Sequence, residues 1–438
     1  MTNIAFIFIV LPIAVIAHVL TPVKYRNITL LFINSAVYIL IFRKSVLILA
    51  LFVVIDFFSG VLISRTRKLW IKFSTAAVII LKNTVGISVL IYIEGTTNYL
   101  VPIGFLVYAF TTTGYIIDAY NGKEAAHNRN IGDFCLFSTL FFKAQAGPVV
   151  RWSEFRSELY GKNVTLLNIW EGFKLFSTGL FKKIFIADSA IWCYRSVYES
   201  AISGGFSEAW CAVVFFIAGN FFMLSGYSDM ARGIGRMFGM ELPENFEKPF
   251  SSGNMRDFLG RYNKSVSDFN ENYLTACLKS SEVSVRNVIK TFAVWLAACF
   301  FWSEWFGIFE SSVVFLIYLT AVIVAERFWL EKKISKLPVR LAKIITGAGW
   351  FIGFAFLSGK SFTGIKNLFL SMAGFGKSFA GDEIKRIFLG SWIVPIVIGA
   401  VAGWYLLNKL GEKSKSAQNT VKTVICIAMF AVSVIYMI

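Results

Sequence analysis

Between Ser225 and Ser267 the chain gathers most of the side chains able to do chemistry. Tyr227 and Asp229 open the stretch, Leu242-Pro243-Glu244-Asn245-Phe246 follows, and Arg261, Tyr262 and Asn263 close it. The flanks are apolar, so a polar, aromatic-rich insert of this length is costly unless it lines a cavity or lies at an interface. The Asn263 amide offers both a donor and an acceptor, enough to hold a substrate carbonyl or hydroxyl. Asp56, Lys82, Glu304 and Glu326 also lie in or beside apolar runs. Such groups mark either an internal polar cavity or a paired contact between helices. Glu304 stands among Trp302, Trp305 and Phe306. Burial there raises the proton affinity of a carboxylate toward the range useful for a general base.

The elements that must carry these groups are membrane helices. The chain has 438 residues, 56% hydrophobic and 17% aromatic, with 45 phenylalanines. A soluble domain of that composition would expose far too much apolar surface. The apolar runs are continuous and do not alternate with polar residues, which excludes an outer-membrane barrel. The expected fold class is therefore an all-α, polytopic membrane protein. Measured against the roughly 20 residues that span about 30 Å of hydrocarbon, the runs amount to about eleven to thirteen membrane-embedded segments. Gly147-Pro148 interrupts the run Cys135–Val150, which predicts a re-entrant element there. Ala209–Met223 reads as a span that leads into the central insert. No linker separates a second unit, so 1–438 reads as one membrane domain.

The formal charge of +17 does not point to nucleic acid. The basic residues sit at the ends of apolar runs, as in Arg65, Arg67 and Lys68, where they face anionic lipid head groups. Membrane lipids are the partners this pattern implies. Six scattered cysteines, with no CxxC pair, and two histidines, His18 and His127, leave no metal-binding pattern. His127 falls in a polar loop and reads as a solvated residue.

Several blocks together resemble the membrane-bound O-acyltransferase family. Val101-Pro102-Ile103-Gly104 with Tyr108, Tyr115, Asp118 and Tyr120 is one block, and Ala146-Gly147-Pro148-Val149-Val150-Arg151 is the next. Gly179-Leu180-Phe181-Lys182-Lys183, Ser225-Gly226-Tyr227-Ser228-Asp229-Met230-Ala231 and Leu242-Pro243-Glu244-Asn245-Phe246 follow in the family's order. The motif-bearing core covers about 101–327, and its pattern is similar to the branch of bacterial alginate and peptidoglycan O-acetyltransferases and the D-alanyl transfer protein. The resemblance implies the family's fold around a central polar cavity, in the bacterial cytoplasmic membrane. It implies O-acylation, for example acetylation, of a cell-envelope polysaccharide or related glycan. It implies no bound cofactor, with acyl-CoA or a carrier-protein thioester as the acyl-donor substrate. The partners implied are an acyl carrier protein or an extracytoplasmic acyltransferase.

The resemblance also assigns residues. Asn263 stands where the bacterial branch carries a histidine. Alignment on Ala325-Glu326-Arg327 puts Trp305-Phe306-Gly307 on the segment that holds the family's second histidine, so Phe306 occupies the base's position. No histidine follows residue 127. Transfer of an acyl group from a thioester to an alcohol needs a base for the hydroxyl proton, and phenylalanine cannot take it. The expected catalytic pair is Asn263 with Glu304 as the substitute base. Tyr227, Asp229, Arg261, Tyr262, Trp305 and Phe306 are the expected cavity-lining groups. The alternative is a non-catalytic family member that serves as a scaffold or acyl relay.

Overall fold

The computed structural model describes residues 1–42, 45–83, 104–122, 130–160, 164–278, 283–303, 310–375 and 415–437. Among these residues every regular element is a helix. The only extended pairing is an isolated antiparallel bridge between Phe246 and Tyr262. Four helices are long and apolar enough to cross a membrane: Val46–Arg65, Phe206–Met237, Glu310–Ile334 and Val339–Ser358. Leu47, Leu51 and Phe58 of the first, with Val313 and Ile317 of the third, are exposed. These are surfaces that suit lipid and not water, and the protein is a membrane protein.

The centre of the fold is the helix Phe206–Met237, packed against Leu166–Phe181 on one side and Asp188–Ile202 on the other. It begins after Gly205 with Glu208 in its first turn, where a carboxylate complements the helix dipole. At its far end the Gly239 N–H donates to Arg236 O and the Met240 N–H to Gly235 O. This is a Schellman closure, and Gly239 supplies the left-handed residue it requires, with φ +81°. The helix therefore runs through Ser225–Met237, the stretch expected to open the polar insert. The reason lies in its partner. Gly226 and Gly233 meet Gly179 and Gly172 of Leu166–Phe181 almost backbone to backbone, so the segment stays helical against a matching small-residue face.

Helix Ile131–Thr139 ends at Leu140, before Gly147-Pro148, and a short 3-10 turn, Phe141–Lys143, follows it. Among the described residues there are two large hydrophobic cores, one joining the N-terminal helices to Met230–Leu242 and one built mostly on the helices after Cys193, and a small third cluster of Phe181, Phe185 and Ile186. Tyr227 packs against both large cores.

The intramembrane pair named above, Asp56 and Lys82, is an ion pair at 2.7 Å, and the Tyr108 hydroxyl donates to the other Asp56 oxygen. Asp56 is completely buried. The cluster ties three neighbouring helices together. Removing one member leaves the other charge uncompensated, so Lys82→Met is expected to cost about 3–5 kcal/mol. Unfolding in detergent checks this. Asp56→Asn combined with Lys82→Met should recover most of the loss, and a loss under about 1 kcal/mol in the single variant rules out the pairing as a structural tie.

Candidate functional site

The short helix Met255–Arg261 delivers the end of the polar insert. Its N-terminus carries two caps. The Asn254 side chain accepts from the Asp257 N–H at 2.7 Å. The Glu326 carboxylate accepts from the Met255 and Arg256 N–H groups at 2.9 and 3.2 Å. An anion at a helix N-terminus satisfies orphan donors and complements the dipole. Glu326 is thus a positioning group for this helix, a role that residue spacing alone does not disclose.

Beyond the helix the chain turns sharply at Asn263, whose φ of +59° and ψ of +60° are left-handed. Asparagine tolerates this conformation better than other side chains with a β-carbon. The Leu242–Phe246 loop holds the turn. Lys264 N–H donates to Asn245 O at 2.8 Å, and Ser265 N–H to Asn245 Oδ1 at 3.1 Å. Glu247 N–H donates to Arg261 O at 3.0 Å. Ser265 in turn accepts from the Val149 N–H at 2.9 Å.

Four stretches distant in sequence thereby meet around one cavity of about 490 Å³. Its walls come from Phe110, Thr111 and Gly114; from Val149, Val150, Arg151 and Glu154; from Leu242 and Pro243; and from Ser265, Asp268, Phe269 and Tyr273. A β-carbon at Gly114 would stand 3.1 Å from the Tyr273 ring, so glycine leaves this wall its room. Among the described residues the lining carries four carboxylates, Glu154, Glu158, Glu241 and Asp268, and one guanidinium, Arg151. Arg151 is engaged by Glu154 and also donates to Asn272 at 3.3 Å. The Tyr273 hydroxyl donates to Asp118 at 2.8 Å.

Burial pushes the Asp268 carboxyl above its ordinary range; Glu271 and Glu154 add to the shift, and Lys264 and Arg151 oppose it. A carboxyl raised on folding contributes stability while protonated and loses it as pH rises through the raised value. Asp268→Asn is therefore expected to melt higher than wild type at pH 7 and to converge with it at pH 3. The opposite ordering at pH 7 would make this carboxylate stabilising as the anion.

The expected site residues separate into distinct places. Asn263 is 3% exposed, and its Oδ1 has no partner among the described residues. Arg261 pairs with Asp257 at 2.6 Å and lines a second polar cavity, of about 750 Å³, on the far side of the same segment. Tyr262 is buried in an aromatic cluster with Phe246, Phe258 and Phe354, at 5.2, 5.5 and 5.8 Å between ring centres. It lines neither cavity. Asp229 bonds Lys182 at 2.6 Å, and Arg232 bridges it to Glu244 at 3.7 Å, which ties the central helix to the loop that holds Asn263. Tyr227 lies two residues before Asp229 on the central helix and packs against both large cores. Glu304, Trp305 and Phe306 lie outside the described residues. Asp268 and Tyr273 carry no signal in the sequence beyond their closeness to Asn263, whereas Glu154 falls within the Ala146–Phe155 block.

The chain is 31% identical over 327 residues to the protein named "Probable alginate O-acetylase AlgI" of Pseudomonas fluorescens. That match takes in 69% of this chain and 63% of the relative, so the chain spans less than two thirds of the relative's length. A second, at 30% identity over 339 residues, is the protein of the same name from Azotobacter vinelandii, with 69% of this chain and 66% of the relative covered. A third, at 36% over 169 residues, is the "Peptidoglycan O-acetyltransferase" of Helicobacter pylori, with 37% of this chain and 32% of the relative covered. The chain belongs to the membrane-bound O-acyltransferase family. No family model matches it. For an acyltransferase-family protein the meeting of the blocks has a direct chemical sense. The Ala146–Arg151 block and the Leu242–Phe246 loop are joined by hydrogen bonds through Ser265, two residues after Asn263.

Proposed function

We propose that the protein transfers an acyl group, for example acetyl, to a hydroxyl of a cell-envelope polysaccharide or related glycan. It does so as a multi-pass protein of the bacterial cytoplasmic membrane, with acyl-CoA or a carrier-protein thioester as donor. An acyl carrier protein or an extracytoplasmic acyltransferase is the partner this reading calls for. One observation carries it: three of the family's blocks, through Phe110, Val149–Arg151 and Leu242-Pro243, line one cavity together with Ser265, two residues after Asn263. Relatives named for O-acetylation of alginate and of peptidoglycan support the acceptor class.

In this reading the acceptor oxygen attacks the thioester carbonyl carbon, a C–O bond forms, the C–S bond breaks and the thiolate leaves. Glu304 takes the hydroxyl proton in place of the histidine that Phe306 replaces. Loss of a general base lowers rate by about 10²–10⁴, and Glu304→Gln is expected to fall in that range. The second reading, a non-catalytic relay or scaffold, is favoured by Phe306 and by the absence of histidine after residue 127.

A gene deletion complemented with wild type or with Glu304→Gln separates them, with O-acyl groups on surface glycans as the measurement. Restoration by wild type and not by the variant supports the base. Equal restoration by both removes Glu304 from the chemistry. Unchanged acylation after deletion overturns the acyl-transfer reading.

A further inference from the structure

The spans Glu310–Ile334 and Val339–Ser358 are joined by the short turn 335–338. Around it Lys332, Lys333, Lys336, Arg340 and Lys343 are all exposed, and Glu331 is the sole acid between Phe328 and Lys343. Among the described residues none of these five cations forms an ion pair. Like charges gathered on one turn repel one another unless a counter-anion lies among them.

Trp329, Leu330, Val339, Leu341 and Ile344 flank and interleave the cations, and they are exposed as well, Val339 to 70% and Ile344 to 67%. Ile345 and Ile352 continue the apolar face along the second span. An indole, aliphatic side chains and lysines at the ends of two apolar helices are the pattern of a membrane interface. There the stems lie in hydrocarbon and the charged heads reach the phosphate layer. A free anion would satisfy the cations alone. A lipid meets both sets, its phosphate the cations and its chains the apolar residues. A soluble protein would have to displace bilayer to reach the same surface.

The inner side of this hairpin meets the helix that leads to Asn263. Glu331, Ser335 and Leu337 line the cavity of about 750 Å³ together with Arg256 and Arg261. Glu326, just ahead of the turn, caps Met255–Arg261. Phe258 of that helix stacks on Trp350 of the second span, with 5.7 Å between ring centres. Both arms of the hairpin therefore hold Met255–Arg261.

We propose that this hairpin is a binding site for the phosphate of an anionic membrane lipid, held by Lys332, Lys333, Lys336, Arg340 and Lys343, and that its occupancy keeps Glu326 and Trp350 seated on the Met255–Arg261 helix. The basic excess also sets the turn on the cytoplasmic side of the membrane. Each lysine or arginine there strengthens attraction to anionic lipid about fivefold. With the site empty, repulsion among the cations loosens the turn, and the Met255 and Arg256 N–H groups lose their carboxylate more often. Neither the binding nor the order of this helix depends on the acyl-transfer reading.

The test titrates the full-length protein, in neutral detergent, with short-chain phosphatidylglycerol, short-chain phosphatidylcholine, inorganic phosphate and poly-glutamate. Calorimetry reads binding, and mass spectrometry follows hydrogen exchange of the Met255–Arg261 amides. Phosphatidylglycerol is expected to bind at least about tenfold tighter than phosphatidylcholine and to slow that exchange about tenfold. Lys332→Gln combined with Lys333→Gln and Lys336→Gln should weaken its binding at least about tenfold and remove the slowing, while melting near wild type. Arg340→Gln with Lys343→Gln, on the other arm, carries the same expectation and serves if the first variant does not fold. Equal affinity for the two lipids, or binding and slowing that the folded variants keep, overturns the site. Inorganic phosphate that displaces the lipid at equal concentration makes this a free-anion site, and poly-glutamate that binds tighter than the lipid makes it a docking face for an acidic protein. Either result overturns the lipid assignment. Tight lipid binding with unchanged exchange at Met255–Arg261 overturns the coupling to that helix.

Discussion

Asn263→Gly is expected to lower acyl transfer about 100-fold while leaving the protein folded, the effect of removing one pre-placed polar contact from a reacting group. Glycine is the informative replacement because the backbone here is left-handed, at φ +59° and ψ +60°. Alanine would lose the amide and also strain the turn by roughly 1–2 kcal/mol, so its loss of activity would mix two causes. Glycine adopts the conformation freely and deletes only the amide. The turn's own ties, Lys264 and Ser265 to Asn245, involve backbone donors that the substitution leaves in place. Asn263→His, which restores the side chain of the resembled branch, should keep more activity than Asn263→Gly. Initial rates and melting temperatures of the three variants decide the matter. A folded Asn263→Gly protein within threefold of wild type removes the amide from the mechanism.

Gly226→Leu is expected to abolish the folded protein. A β-carbon at Gly226 would lie 2.7 Å from Gly179 O and 3.0 Å from Lys183 N, and one at Gly179 would lie 2.5 Å from Gly226 O. These neighbours are backbone atoms of a packed helix, so no side chain can swing away. The same contact repeats about two helical turns along, where Gly172 and Gly233 oppose each other at 2.5 and 2.6 Å. The two helices therefore touch along a seam of glycines, and the Lys182–Asp229 pair at 2.6 Å lies beside it. Overpacking costs about 1–3 kcal/mol where neighbours can shift; here leucine adds three further carbons against fixed backbone, and the helices must separate. Gly260→Ala is the control, since its β-carbon meets nothing within 4 Å. Monodispersity and thermal unfolding in detergent should separate the two variants completely. A Gly226→Leu protein that melts like wild type would mean the seam can open without loss.

Both results bear on how much of the molecule can be read from its residues. The continuous apolar runs called for membrane-length helices, and the structure has Val339–Ser358 and Glu310–Ala325. Runs of that length and composition have one stable form in lipid, so local information suffices. The central helix was legible only in part. Ser225–Met237 is polar enough to resemble the start of an insert, and it is helical because glycines across a tertiary contact accept it.

By itself, then, the residue order determined the all-helical membrane class and the family blocks, because hydropathy and motif identity are local properties. Only the tertiary structure decided how those blocks act together. Arg261, Tyr262 and Asn263 are consecutive, yet one faces a polar cavity, one fills an aromatic core and one holds a buried amide. Glu326 proved to cap the helix that leads to them, and Asn245 to pin the turn itself. The reason is physical: a side chain's role is set by the partner that desolvates it, and these partners lie about 20 to 120 residues away.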